Sequence, residues 1–157
     1  MKKPASLRQA LTAALEELRK EPTRLALWVE DGAVRSRSTG NLSFAFEYPL
    51  SVLLTDLKTD IALVTLAIVR WLQVNQPNLL AGGAGDSFTF ETDILDNEKA
   101  DLVFTLNLTE QVKVTAKEGG GYDLEYLAEP SPLFASDAGF EDTAAPPLQS
   151  VETIVAN

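Results

Sequence analysis

LSFAFEYPLSVLL, residues 42–54, is the stretch that decides the class of this fold. Leu42, Phe44, Phe46, Tyr48, Leu50, Val52 and Leu54 hold strict period two, so an extended chain puts all of them on one side. At roughly 3.3 Å per residue the run exceeds about 40 Å if unbroken, well past the length of an ordinary strand. Pro49 brings no N–H to a ladder, so the strand is expected to bend or to lie at an edge there. A strand this long also points to a sheet shared between subunits.

Downstream, Asp60 to Gln76 predicts a helix capped by Thr59 or Asp60 and ended by Pro77. Ile61, Leu63, Val64, Leu66, Ala67, Ile68, Val69, Trp71, Leu72 and Val74 leave it almost no polar side. A helix apolar all round has to be covered all round. The sheet supplies one cover, and either a neighbouring subunit or the N-terminal helix supplies the other. That N-terminal helix is expected over residues 6–20, with Leu7, Leu11, Leu15 and Leu18 in one stripe. A capping-box pair, Ser6 and Gln9, starts it and Pro22 stops it.

Between these helices, Arg24 to Glu30 alternates, with Leu25, Leu27 and Val29 on one side, and Asp31-Gly32 reads as a hairpin turn. The return strand would run from Ala33 to Ser38, followed by a second turn at Thr39-Gly40-Asn41. After the long helix, Gly82-Gly83-Ala84-Gly85 is a loop without the Lys-Ser/Thr of a phosphate loop. Alternation over Phe88–Ile94, Leu102–Leu108, Val112–Ala116 and Tyr122–Tyr126 then predicts a four-strand meander. The fold class is α+β, a mixed or antiparallel sheet packed by two main helices, in one domain over residues 1–128. Residues 129–157, rich in Pro, Ala and acidic residues, are expected to be an extended or disordered tail. Leu148 to Val155 could dock within it as a short segment.

Composition removes most chemistry. The 157 residues include no cysteine and no histidine, which excludes disulfides, thiol nucleophiles, the usual general base and the commonest zinc ligand. With 13 Lys+Arg against 23 Asp+Glu, the formal charge of −10 repels phosphate and anionic membranes. The longest apolar run, Ile61 to Leu72, carries Thr65 and Arg70 and falls short of the roughly 20 residues that span a bilayer. No signal peptide follows the two N-terminal lysines, so synthesis and folding in a reducing cytoplasm are expected.

Asp93, Asp96, Glu98 and Asp101 gather near one turn, a pattern that fits a solvated turn better than a metal site, since it matches no calcium loop. Arg35 and Arg37 are expected to pair with carboxylates of a facing subunit. Trp28 and Trp71 read as core or interface anchors. Candidate subunit-contact residues are Arg35, Arg37, Tyr48, Val64, Ile68 and Trp71. No catalytic, cofactor-binding or metal-binding residue emerges, and the expectation is a structural protein and not an enzyme.

Three stretches carry a family likeness: MKKPASLRQALTAALEELRKEP at the start, LAIVRWLQVNQPNLL in the long helix, and DILDNEKADLVFTLNLTEQVKV in the meander. Together, over roughly residues 1–127, they resemble the phage tail completion protein R family of contractile-tailed temperate phages and R-type pyocins. The resemblance implies a tail-terminator-like α+β subunit of the virion tail or pyocin particle, assembled in the bacterial host cytoplasm. Its partners would be further copies of itself in a ring, expected to be hexameric, and the tail tube protein, with sheath and head-completion proteins beyond. It implies no cofactor, no membrane contact and no specific nucleic-acid binding. Six copies would carry six times −10, about −60, and an acidic bore would let DNA pass without sticking. Arg35 and Arg37 would then lie at protein contacts and not on the channel wall. The rival readings are a different neck or head-completion connector, or a cytosolic α+β binding module unrelated to phage, in which Asp93, Asp96 and Asp101 would converge in a pocket.

Overall fold

The computed structural model describes residues 1–36, 40–82 and 85–129. The chain order is α1 (Lys3–Ala14), α2 (Glu16–Lys20), β1 (Leu25–Val29), β2 (Ala33–Ser36), β3 (Phe44–Leu57), α3 (Ile61–Asn75), β4 (Thr89–Ile94), β5 (Ala100–Ala116) and β6 (Tyr122–Tyr126), with short 3-10 turns at Pro22–Arg24 and Pro77–Leu80. All strand pairs are antiparallel and form one six-stranded sheet. Its spine is β3 against β5, 14 and 17 residues long, paired from Phe44↔Val112 to Leu57↔Ala100.

That pairing accounts for the length of β3 within one chain. The long strand is flanked within its own chain by β5 on one side and by β1 and β2 on the other, so it has no ladder left for a neighbour. The meander is also shorter than the sequence suggested. Leu102–Leu108 and Val112–Ala116 are one continuous strand, because Thr109, Glu110 and Gln111 keep the alternation that a turn would have broken. β4 and β6 pair with opposite ends of the same edge of β5.

The Asp31-Gly32 hairpin is not formed. β1 and β2 run one after the other along the same edge of β3, as Leu25↔Leu54 to Val29↔Leu50 and then Ala33↔Glu47 to Ser36↔Phe44. Four residue steps from Val29 to Ala33 face three from Leu50 to Glu47, the count of a bulge. A two-residue type I′ turn would need φ > 0 at Gly32, and Gly32 is not among the positive-φ glycines. Pro49 lies opposite this bulge, where the edge ladder is already interrupted and its missing N–H leaves no partner waiting. The chain reverses between Ser36 and Phe44 instead; Arg37, Ser38 and Thr39, read as the end of the return strand and the start of the next turn, fall outside the described residues.

A second bulge interrupts β3 between Leu54 and Leu57, with Asp56 in the left-handed region at φ 53°. It is pinned from two sides: Asp101 Oδ1 accepts from the Asp56 amide at 2.8 Å, and Arg24 Nη1 donates to the Asp56 carbonyl at 2.9 Å. Asp101→Ala is therefore expected to cost about 0.5–1.5 kcal/mol, read as a lower urea midpoint with an unchanged slope.

The period-two pattern of the two long strands builds the core. Tyr48, Leu50, Val52 and Leu54 of β3 face the helices together with Leu102, Phe104, Leu106 and Leu108 of β5, and all eight are buried. Leu7, Leu11, Leu15 and Leu18 from the N-terminal helices, and Val64, Ile68, Trp71 and Leu72 from α3, complete the core. The helix expected over residues 6–20 differs in two ways. It begins at Lys3, with Pro4 in the first turn where a missing N–H is harmless, and it breaks at Leu15, whose φ of −109° and ψ of 117° are extended. Ser6 does not cap it: its hydroxyl accepts the Trp71 indole N–H at 3.0 Å and ties α1 to α3. α3 is capped as expected, Asp60 Oδ1 accepting from the Ala62 amide at 2.7 Å.

Candidate functional site

Four of the six candidate contact residues lie in the chain's own core. Val64 and Ile68 are fully buried, and Tyr48 and Trp71 nearly so, because they occupy the side of α3 and the side of β3 that meet each other. The all-apolar helix does carry a surplus, but it lies on the opposite side, where Leu63, Leu66 and Val74 are exposed. Arg35 is on the surface and has an acidic partner in its own chain: its Nε donates to Glu47 Oε2 at 2.6 Å across the β2–β3 edge. Arg37 lies outside the described residues.

The acidic group of the β4–β5 turn does not converge. Asp96 Oδ1 accepts from the amides of Glu98 and Lys99 at 2.8 and 2.9 Å, and the first of these bonds chiefly holds its pKa below the usual carboxylate range. Asp101 serves the β3 bulge, and Glu98 faces Lys58 at 3.8 Å. Among the described residues no three Asp or Glu side chains are placed to hold a metal ion.

What the sequence reading missed is a polar knot under the N-terminus. Lys3 Nζ donates to Gln76 Oε1 at 2.6 Å, to the Thr109 carbonyl at 2.6 Å and to Glu129 Oε1 at 2.8 Å. Gln76 accepts in addition from the Thr109 amide at 3.1 Å and donates to Asn78 Oδ1 at 2.6 Å and Thr109 Oγ1 at 3.0 Å. Beside it, Glu110 accepts from the Tyr48 hydroxyl and from the Lys2 amide, the latter at 2.7 Å. Burial first, and then the bond to Glu110, raises the Tyr48 pKa far above the ordinary phenol range, so its hydroxyl stays a donor. Glu110 could have been found: it is the one carboxylate at an inward position of β5, between Leu108 and Val112. The knot joins the start of α1, the end of α3, the middle of β5 and the point where the chain reaches Glu129. Every buried side-chain donor and acceptor among the described residues has a partner. A fully paired knot fixes geometry.

The open surface is of two kinds. One is a groove of ≈ 800 Å³ between α1 and α3, walled by Ala10, Ala13 and Ala14 on one side and by Leu63, Leu66 and Val74 on the other, with Arg70 at its rim. The other is the sheet where it outruns the helix layer. Beyond Phe44↔Val112, β5 and β6 continue as a two-stranded arm closed by Gly119, Gly120 and Gly121, all with positive φ. The helix-side positions of this arm, Val114, Leu124, Ala116 and Tyr122, have no helix above them, and Tyr122 and Leu124 are 58% and 64% exposed. On the same edge of β5, at the opposite end, Phe90 and Ile94 of β4 are 56% and 74% exposed. The described residues thus combine a fully hydrogen-bonded interior with apolar surface at both ends of a long sheet.

Comparison with known proteins gives the chain a family. The model of the P2 phage tail completion protein R (GpR) family matches residues 1–130. This chain belongs to that family. The tail completion protein R of Escherichia phage P2 is 35% identical over 134 residues, covering 84% of this chain and 86% of the phage P2 protein. No solved structure matches the chain. The family match takes in the polar knot, the groove and the arm, and it ends one residue beyond Glu129, the last residue described before the C-terminal segment.

Proposed function

We propose that the chain is a tail completion subunit, a structural protein without catalysis, which closes into a ring on the end of the tail tube and readies the tail for joining to the head. Its place is the virion tail. Its partners are its own copies and the tube protein, with sheath and head-completion proteins as further neighbours. The single observation behind the ring is the pair of unlike apolar overhangs on β5, the Tyr122–Leu124 arm at one end and Phe90 with Ile94 at the other. Two different, separated patches on each subunit support head-to-tail contact, and head-to-tail contact closes into a ring when the rotation allows. Two like patches would favour a simple dimer instead. Exposed apolar area of this kind, rimmed by charge, is otherwise a liability for a monomer.

The contact residues of the proposal are thus Tyr122 and Leu124 against Phe90 and Ile94, in place of the buried Tyr48, Val64, Ile68 and Trp71. Arg35, paired with Glu47, lies on the open face of the sheet, the face opposite to that of Tyr122 and Leu124. The acidic ring would offer passing DNA few counterion-releasing contacts.

The test is light scattering of the wild-type chain and of a Tyr122→Asp/Leu124→Asp variant, each with and without tube protein. The wild type is expected to give rings on tube ends. The variant is expected to stay monomeric with its unfolding free energy changed by less than about 0.5 kcal/mol, since both sites are on the surface. A variant that still forms rings would refute the head-to-tail contact through the arm.

A further inference from the structure

We propose that the groove between α1 and α3 is the docking site of the chain's own C-terminal segment, Leu148–Val155. The groove is apolar on both walls and open along its length, and nothing in the described residues covers it. Exposed Leu63, Leu66 and Val74 there would be costly to leave in water, and ring formation through the two ends of β5 would not bury them.

Three observations select this occupant. The first is where the chain goes. Leu127, Ala128 and Glu129 line a cleft with Lys2, Ser6, Val74 and Asn75, and Val74 with Asn75 also forms the end of the α1–α3 groove. Lys3 holds Glu129 at 2.8 Å, so the chain is released toward residue 130 at the mouth of the groove. The second is reach. The 19 steps from Glu129 to Leu148 span up to roughly 65 Å when extended, and their typical end-to-end distance is about 24 Å. α3, with 15 residues, is about 22 Å long. A tether matched to its span gives an effective concentration near millimolar, so a segment of the same chain outcompetes any partner at micromolar levels.

The third is chemistry. Leu148, Val151, Ile154 and Val155 recur at steps of three and four, the spacing that presents one apolar side to a groove. Residues 130–157 carry Asp137, Glu141, Asp142 and Glu152 and no Lys or Arg. The groove carries Arg70, which has no ion-pair partner among the described residues, and Glu16, which is paired with Lys20 at 2.7 Å; at its mouth Lys2 stands beside Glu129 and Glu110, held by Lys3 and by Tyr48 respectively. An acidic segment with an apolar side therefore meets an apolar groove with a cation on its rim. This inference stands apart from the ring: the docking is a property of one chain in solution.

The absence of cysteine makes the test clean, because every thiol in a variant is an introduced one. The full-length chain carrying Leu66→Cys and Val151→Cys is oxidised at low micromolar concentration and run on a non-reducing gel. A disulfide within one chain is expected, while a Trp28→Cys/Val151→Cys control, whose first thiol lies on the open face of the sheet, forms at least ten times less. As a second measurement, the single Leu66→Cys thiol is labelled in the full chain and again in the background of Val151→Asp, Ile154→Asp and Val155→Asp. Labelling at least ten times faster in the substituted background is expected. Equal labelling rates, equal cross-linking in test and control, or cross-links found only between chains would each overturn the assignment.

Discussion

Gln76→Leu is expected to lower the unfolding free energy by about 2–4 kcal/mol, a large loss for a change that keeps the side-chain size. Gln76 is 1% exposed and makes four hydrogen bonds, two of them accepted at Oε1 from Lys3 Nζ and the Thr109 amide. Leucine adds some apolar contact, worth about 1–2 kcal/mol at most, but strands a buried amide and takes one of three acceptors from a buried ammonium. The polar loss is the larger, so the sign is destabilising. Adding Lys3→Met to the Gln76→Leu variant removes the ammonium that lost an acceptor and is expected to cost less than Lys3→Met alone, because the Gln76 acceptor it would otherwise leave unpaired is already gone. Urea unfolding of the two single variants and the double gives the coupling, expected to be at least about 1 kcal/mol. A coupling near zero would mean that Gln76 does not hold Lys3 in solution.

Phe104→Ala is expected to cost about 3–5 kcal/mol. Phe104 is fully buried on β5, opposite Val52 of β3 and Phe90 of β4, with the Phe88 and Phe90 ring centroids 6.1 and 6.2 Å away. Both ladders of the strand hold the backbone fixed, so the surroundings cannot close on the cavity and the loss belongs at the upper end. Phe90→Ala provides the contrast. It touches the same ring, but its side chain is 56% exposed, and its removal is expected to cost less than about 1.5 kcal/mol. Against a typical total of about 5–15 kcal/mol, the first change removes a large share of the stability and the second does not. Thermal unfolding of the two variants side by side separates them.

The class of fold, the identity of the long strand, the α3 helix with its Asp60 cap and the inward residues of β3 and β5 were all legible in the sequence. Each depends on a local signal, a period in the strands and a cap and a following proline for α3, that tertiary structure had no reason to override. What could not be read was which elements run past one another. Asp31-Gly32 carries a hairpin signal, but whether the chain turns there depends on β3 offering Glu47 and Phe46 beyond Leu50, which is a non-local fact. The division of α3 into covered and open sides was also hidden, since a helix apolar all round has no period to betray its orientation. The burial of Val64 and Ile68 was hidden for that reason: they look no different in sequence from Leu63 and Leu66. The polar knot was half legible. Glu110 breaks the apolar register of β5 and could have been marked, whereas Lys3 sits at a helix start where a lysine signals nothing.

The spine of this sheet also sets an order of events during synthesis. β3 is complete at Leu57, but its partner begins only at Ala100 and ends at Ala116. At a translation rate of roughly 5–20 residues per second, the interval before β5 has been made is several seconds. Through that time Tyr48, Leu50, Val52 and Leu54 have only β1, β2 and the helices for company, and the other ladder of β3 is open. Pairing across so long a separation is slow in itself, because the loop must close before any contact rewards it. The nascent chain is therefore most vulnerable to aggregation in its middle third. The charged residues along its helices and turns are what keep it soluble until β5 arrives.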